Sequence, residues 1–193
     1  MGQVWRDWGG VVVVSLAGLP VAALIALLLA RLRRRNGLPN REAWWHSVAE
    51  VGMVVGTLPW VWMILTPLAA PRQVHLIPLR DLFLQVTTTS PTFVTVQVGG
   101  NLLVFAALGF FGPIRFAALA GVWRLLALGA AGSALVETLQ FVLDIGRVSS
   151  VDDVLINAVG AALAGLVSRP WWASREPVAA DRRPTPIEAG YPG

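Results

Sequence analysis

Two short segments place acids and amides inside stretches that are otherwise apolar. The segment ETLQ contains Glu137 and Gln140, and the segment VDDVLIN contains Asp153 and Asn157. Glu137 follows Ser133 by four residues and precedes Gln140 by three, a spacing that puts the three side chains on one face of a helix. A carboxylate in such a setting could act as a general acid or base, and the amides could orient a polar ligand.

Helices that cross a membrane must position these residues. The chain has 193 residues, of which 55% are hydrophobic and 13% charged, and this is too apolar for an ordinary soluble domain. We predict an all-α membrane protein, a bundle of about five transmembrane helices. The predicted spans are residues 11–30, 45–68, 98–113, 123–143 and 151–167. Residues 69–97 contain Pro, Thr and Arg and are interpreted as an outer loop.

The arginines set the predicted orientation of the bundle. All 15 basic residues are Arg, and the five-span arrangement places eleven of them on one side. Because Arg accumulates in cytoplasmic loops, we expect the N-terminus outside the cell membrane and the C-terminal tail in the cytoplasm. The predicted organisation is an N-terminal transmembrane helix with a basic cytoplasmic loop (residues 1–42), a multi-span domain (residues 43–171) and a flexible cytoplasmic tail (residues 172–193).

This arrangement brings the polar residues to one depth. Glu137 lies six residues from the outer end of span 4, and Asn157 lies six from the outer end of span 5. At 1.5 Å per residue, both lie about 9 Å below that end. Asn101, near the outer start of span 3, lies slightly closer to the surface. The sequence therefore predicts a polar pocket at the outer side.

The short connection between spans 4 and 5 makes them antiparallel neighbours. Arg147 lies in this connection and is the expected cation for one of four acids: Glu137, Asp144, Asp152 or Asp153. Small residues on the two spans would permit the close backbone approach typical of membrane helix pairs: Gly129, Ala130, Gly132, Gly160 and Ala164.

The polar residues also have a purely structural interpretation. Gln140 and Asn157 could hold helices together through hydrogen bonds. Asp152 or Asp153 could cap the last helix, since acids are favoured at helix N-termini. An ionisable group below the membrane surface is costly without a partner or a task, so we favour a functional role for Glu137.

The composition excludes several kinds of site. The chain has no cysteine, so it can form neither disulfides nor thiolate metal sites. His46 and His75 lie far apart without metal-ligand spacing, and we expect no metal or other cofactor. The arginines lie at the ends of apolar runs, so nucleic acid is not an expected partner. A transporter would need polar residues in the inner half of the membrane, where spans 1, 3, 4 and 5 have almost none.

In combination, these motifs resemble the VanZ-like family of bacterial membrane proteins over residues 75–168, with HLIPL at the position of an outer-loop motif of that family. The family usually has Asn where His75 stands and an aromatic residue where Leu79 stands. The resemblance implies a multi-pass plasma-membrane protein of the cell envelope, some members of the family being linked to resistance to glycopeptides such as teicoplanin. The residues that match the family's motifs are Asn101, Glu137, Gln140, Arg147, Asp153 and Asn157.

Two functions fit these expectations. In the first, the outer pocket binds a membrane lipid, a lipid-linked envelope precursor or a glycopeptide antibiotic, and Arg80 and Arg147 contact its phosphate or carboxylate. Asn101, Gln140, Asp153 and Asn157 would complete that pocket. In the second, an enzyme acts on a lipid-linked substrate with Glu137 as general acid or base. The sequence offers no persuasive nucleophile for such a reaction.

Overall fold

The computed structural model describes residues 2–71 and 73–173, which are mainly helical. The α-helices of this part of the chain are α1 (Gly2–Arg35), α2 (Asn40–Leu65), α3 (Arg80–Thr88), α4 (Pro91–Val104), α5 (Ala106–Arg115), α6 (Val122–Val142) and α7 (Val151–Val167). Two short strands, β1 (Gln73–His75) and β2 (Val148–Ser150), precede α3 and α7. The predicted tail lies, apart from its first two residues, outside the described residues.

The described helices fit a membrane bundle. Four segments are long and apolar enough to cross a bilayer: Gly9–Arg35, Asn40–Leu65, Pro91–Arg115 and Val122–Val142. The helix α7 has 17 residues, which is the lower end of the range of about 17–25 that spans a membrane. Apolar side chains such as Val14 and Leu16 are exposed on α1, as lipid contact requires. The prediction of an all-α membrane protein is confirmed, and four of the five predicted spans correspond to these segments, while α7 is the fifth.

The predicted loop of residues 69–97 is more ordered than expected. It contains β1, α3 and the first two turns of α4. The helix α4 begins at Pro91 because the hydroxyl of Ser90 accepts a hydrogen bond from the Phe93 N–H (3.3 Å), and Pro is favoured in a first helical turn. The third span therefore begins seven residues before the predicted Val98, and buried Phe105 interrupts it between α4 and α5.

Strand β1 pairs with β2 in parallel, and His75 lies opposite Ser150 in the register. This pairing joins the segment after α2 to the connection between α6 and α7. We call this end of the bundle the sheet end.

Small residues allow α7 to pack closely against three other helices. A Cβ on Gly129 of α6 would lie 2.8 Å from the Cα of Ala158, so the predicted close approach of α6 and α7 is confirmed. Gly160, which was predicted to face α6, instead faces α4, where a Cβ would overlap the carbonyl oxygen of Leu102. A Cβ on Gly109 of α5 would likewise overlap the Ala161 carbonyl. The small residues thus place α7 at the centre of the bundle.

The opposite end of the bundle is held by an ion-pair cluster. Glu50 of α2 accepts hydrogen bonds from Arg33 of α1 and Arg115 of α5. Arg33 also donates to the hydroxyl of buried Ser47 (2.7 Å). This cluster joins three helices and gives an acid and two arginines partners for their charges.

Candidate functional site

The connection between α6 and α7 holds Glu137 through its backbone. The N–H of Ser150 donates to Glu137 Oε2 (3.1 Å), and the hydroxyl of Ser149 donates to the Glu137 main-chain carbonyl (3.1 Å). The hydroxyl of Ser150 also accepts a hydrogen bond from the Asp152 N–H (3.2 Å) and thereby caps α7. Strand β2 therefore fixes the position of the carboxylate that the sequence singled out.

A second carboxylate joins this network from α3. Asp81 Oδ2 accepts a hydrogen bond from the Ser150 hydroxyl (2.8 Å) and lies 2.8 Å from His75 Nδ1. The carboxylate stands between the serine and the histidine, whereas activation of a serine nucleophile requires the imidazole to contact the hydroxyl directly. The three residues therefore bind one another in an order that does not activate Ser150.

Asn157 and Asn101 form hydrogen bonds with side chains of neighbouring helices. Asn157 Nδ2 donates to the hydroxyl of Ser133 (2.8 Å), while its Oδ1 atom is buried and has no hydrogen-bond partner among the described residues. Asn101 Nδ2 donates to Asp153 Oδ1. The structure thus brings α4, α6 and α7 together through the residues that the sequence placed at one depth.

Gln140 and Arg147 bind main-chain carbonyls at the C-terminal end of α2. Gln140 Nε2 donates to the carbonyl of Ile64 (2.7 Å), while Arg147 donates to the carbonyls of Met63 (2.8 Å) and Thr66 (3.1 Å). The last carbonyls of a helix have no partner within it, so these hydrogen bonds satisfy groups that would otherwise be unpaired.

This arrangement corrects the predicted role of Arg147 as the ion-pair partner of an acid. The described hydrogen bonds of its guanidinium go to carbonyl groups, not to Glu137 or Asp153. Burial lowers the pKa of the Arg147 guanidinium from its ordinary value, and the nearby Glu137 carboxylate partly opposes that effect.

Asp152 caps a helix, but not the one that follows it. Its carboxylate accepts hydrogen bonds from the backbone N–H of Leu79 and, at 3.0 Å, of Leu82. These groups belong to the N-terminal end of α3, where Leu79 is in the left-handed backbone region (φ 63°). Arg80, predicted to contact the ligand, is exposed at this end of α3 and does not line the large cavity beside the polar groups.

That cavity, of about 1240 Å³, connects the polar groups with apolar helix surfaces. Its apolar walls come from α1, α2 and α4, with Leu16, Trp60 and Val96 as examples. Its polar end, at the sheet end of the bundle, is lined by His75, Asp81, Asn101, Glu137, Gln140, Arg147, Ser150, Asp153 and Asn157. In the described part of the chain, no three His, Asp or Glu side chains are grouped so that they could hold a metal ion.

Helical spacing does not identify Ser150 or His75 at the polar end of the cavity. Two local sequence patterns do. Residues 150–153 read SVDD, and a serine followed three residues later by an acid is typical of a helix start, which identifies Ser150 as a cap. The HLIPL segment marks His75, which β1 carries to the polar end of the cavity. No local pattern indicates the contacts of Asp81 with His75 and Ser150.

The fold and the cavity define a multi-pass helical membrane protein with a partly open amphipathic cavity. The VanZ/LLP1 family model matches residues 53–172, which is more than half of the chain, and the protein belongs to this family. Resistance to antibiotics is typical of the family. No curated protein and no solved structure matches the chain. The matched residues include α3 to α7 and the second half of α2, so the cavity's polar end lies within the family domain.

Proposed function

We propose that this VanZ/LLP1 protein binds an amphipathic lipid or lipid-linked envelope precursor in the cavity. The observation that carries the proposal is the continuity of one cavity of about 1240 Å³ from apolar walls on α1, α2 and α4 to a polar end. Acyl chains would contact the walls, and the head group would contact the end that contains Glu137, Asp153 and Asn157. A purely structural polar cluster would need no such space beside it.

We propose further that the sheet end faces the outside of the cell membrane. The excess of arginines at the opposite end supports this orientation, and Arg33 and Arg115 lie there. The ligand would then be taken from the outer leaflet. Because wall precursors are exposed on that side, altered susceptibility to glycopeptide antibiotics is the proposed consequence of binding.

The proposal is tested by filling the cavity with a side chain. Gly100 lines the cavity, and a Cβ at this position would meet no atom within 4 Å. We expect Gly100→Trp to fold, because the new ring enters open space, and to reduce crosslinking of a phospholipid with a photoreactive acyl chain by about tenfold or more. The measurement is made on the purified protein in nanodiscs.

Gly18→Trp is the matched control. A Cβ at Gly18 would also meet no atom within 4 Å, and this glycine lies on α1 outside the cavity lining. The control variant should crosslink like the wild type. Equal crosslinking of the Gly100→Trp protein would show that lipid does not enter the cavity.

An enzyme acting on a lipid-linked substrate is the second candidate, because the carboxylates of Glu137 and Asp153 line the cavity together with that of Asp81. Glu137 would serve as general acid or base. Glu137→Gln keeps the size and one acceptor oxygen of the side chain. Turnover of a lipid-linked substrate by the wild type that is lost in Glu137→Gln would favour the enzyme, whereas a catalytically inert wild type that binds lipid favours the binding protein.

A further inference from the structure

The polar end of the cavity contains a buried hydrogen-bond acceptor that has no donor among the described residues. Asn157 is 3% exposed, and its Oδ1 atom has no partner among the described residues although the residue lines the cavity. A buried acceptor without a donor costs free energy, which a ligand can recover by supplying the donor. The orphan oxygen therefore indicates the chemistry of the missing group.

The two carboxylates beside Asn157 have the same requirement. Glu137 uses Oε2 to accept from the Ser150 N–H, and Asp153 uses Oδ1 to accept from Asn101. An ionised carboxylate has about four acceptor sites, so each group can accept further hydrogen bonds. The Ser149 hydroxyl also lies close to the Glu137 carboxylate, but two or three donors do not fill the acceptor sites of these two carboxylates, which can accept a further donor from a ligand.

The charges that line the cavity also favour a ligand that supplies hydrogen-bond donors. Among the described lining residues, three have carboxyl side chains (Asp81, Glu137 and Asp153), one is an arginine, and one is His75, which contacts Asp81. That arginine, Arg147, already donates to the carbonyls of Met63 and Thr66. A bare phosphate would meet more negative than positive charge on the lining side chains.

We infer that the head group bound here presents hydrogen-bond donors, hydroxyl or ammonium groups, to Asn157, Glu137 and Asp153, and that a bare phosphate head group is disfavoured. This inference rests on the proposed lipid-binding function and specifies its ligand. Hydroxyl and ammonium groups share the ability to donate to neutral and ionised oxygen acceptors.

The test is a competition among lipids with identical acyl chains. The photoreactive phospholipid is displaced from the wild-type protein in nanodiscs by a glycosyl diacylglycerol, phosphatidylethanolamine or phosphatidic acid. We expect at least one of the first two to compete at about tenfold lower concentration than phosphatidic acid. Competition by the glycolipid alone would assign hydroxyl donors, and competition by phosphatidylethanolamine alone would assign ammonium.

Glu137→Gln should reduce this preference about tenfold, because the amide replaces an acceptor with a donor and removes a negative charge. Asp144→Asn is the matched control, since Asp144 is an exposed acid at the same end that does not line the cavity. It should keep the wild-type preference. Equal or stronger competition by phosphatidic acid would overturn the inference but not lipid binding, whereas failure of the wild type to crosslink any lipid would overturn the proposed function itself.

Discussion

Arg147 stabilises the end of α2 with hydrogen bonds that depend on the shape of its guanidinium. One nitrogen donates to the Thr66 carbonyl and another to the Met63 carbonyl, and Gln140 donates to Ile64 in the same turn. In a membrane, helix ends away from water need such partners. Arg147, which the sequence suggests as a residue that binds an anion, thus also connects the α6–α7 turn to α2.

Arg147→Lys should destabilise the protein although it preserves the charge. A single ammonium cannot reproduce two donors in a planar arrangement, so at least one carbonyl of α2 loses its partner. We expect a loss of about 1–3 kcal/mol in the free energy of unfolding, seen as a lower thermal denaturation midpoint in detergent.

Arg80→Lys serves as the comparison, because Arg80 is exposed at the start of α3. Its substitution should leave the midpoint nearly unchanged. A midpoint for Arg147→Lys equal to that of the wild type would mean that the carbonyl contacts contribute nothing to stability.

At the residue scale, helical spacing and depth were sufficient to select Glu137, Asp153 and Asn157, which line one cavity. The partners of Gln140 and Arg147 could not be predicted in the same way. Their acceptors lie 76 to 84 residues earlier in the chain, and periodicity gives no information on which distant carbonyls lack a partner.

The short elements of the sheet end depend on contacts that are distant in sequence. The helix α3 has nine residues, too few for a stable isolated helix, and Asp152 caps it from 70 residues away. Strand β1 has three residues and requires β2 as its partner. Local sequence patterns alone therefore predict a loop for this segment.

The long helices were easier to predict. Each contains a long and mostly apolar run, and α7 begins and ends at the predicted residues. The start of α4 was missed because residues 91–97 include Thr and Gln, although the Ser90–Pro91 pair is a local start signal.

Asp152→Asn should loosen α3 while leaving the long helices intact. The amide retains one acceptor oxygen, so one of the N–H groups of Leu79 and Leu82 loses its partner, and the negative charge at the helix N-terminus disappears. We expect amide hydrogen exchange over Arg80–Thr88 to become about tenfold faster.

Asp153→Asn provides the matched control, because Asp153 is adjacent in sequence but binds Asn101 of α4. Exchange in α3 should stay at the wild-type rate in that variant. Unchanged protection of α3 in Asp152→Asn would show that strand pairing alone holds this end of the molecule.

At the scale of the whole molecule, the bundle has two chemically different ends. The sheet end contains the polar part of the cavity, and the opposite end contains Glu50 with Arg33 and Arg115. Their opposite placement follows from the antiparallel order of the spans, which the positions of the apolar runs predict. The shape of the cavity does not follow from that order, because it depends on how α1, α2 and α4 diverge.

The absence of native cysteine makes the orientation of these ends directly measurable, since a single introduced thiol is the only labelling site. Thr89 is exposed between α3 and α4 at the sheet end, and Asn36 is exposed in the turn between α1 and α2 at the other. We expect a membrane-impermeant maleimide to label Thr89→Cys in intact spheroplasts and Asn36→Cys only after permeabilisation. The reverse pattern would place the polar end of the cavity in the cytoplasm, and its ligand would then have to come from the inner leaflet. Such a ligand would be separated from the wall, so that result would contradict the proposed link to glycopeptide susceptibility. Lipid binding itself would still be tested by the Gly100→Trp experiment.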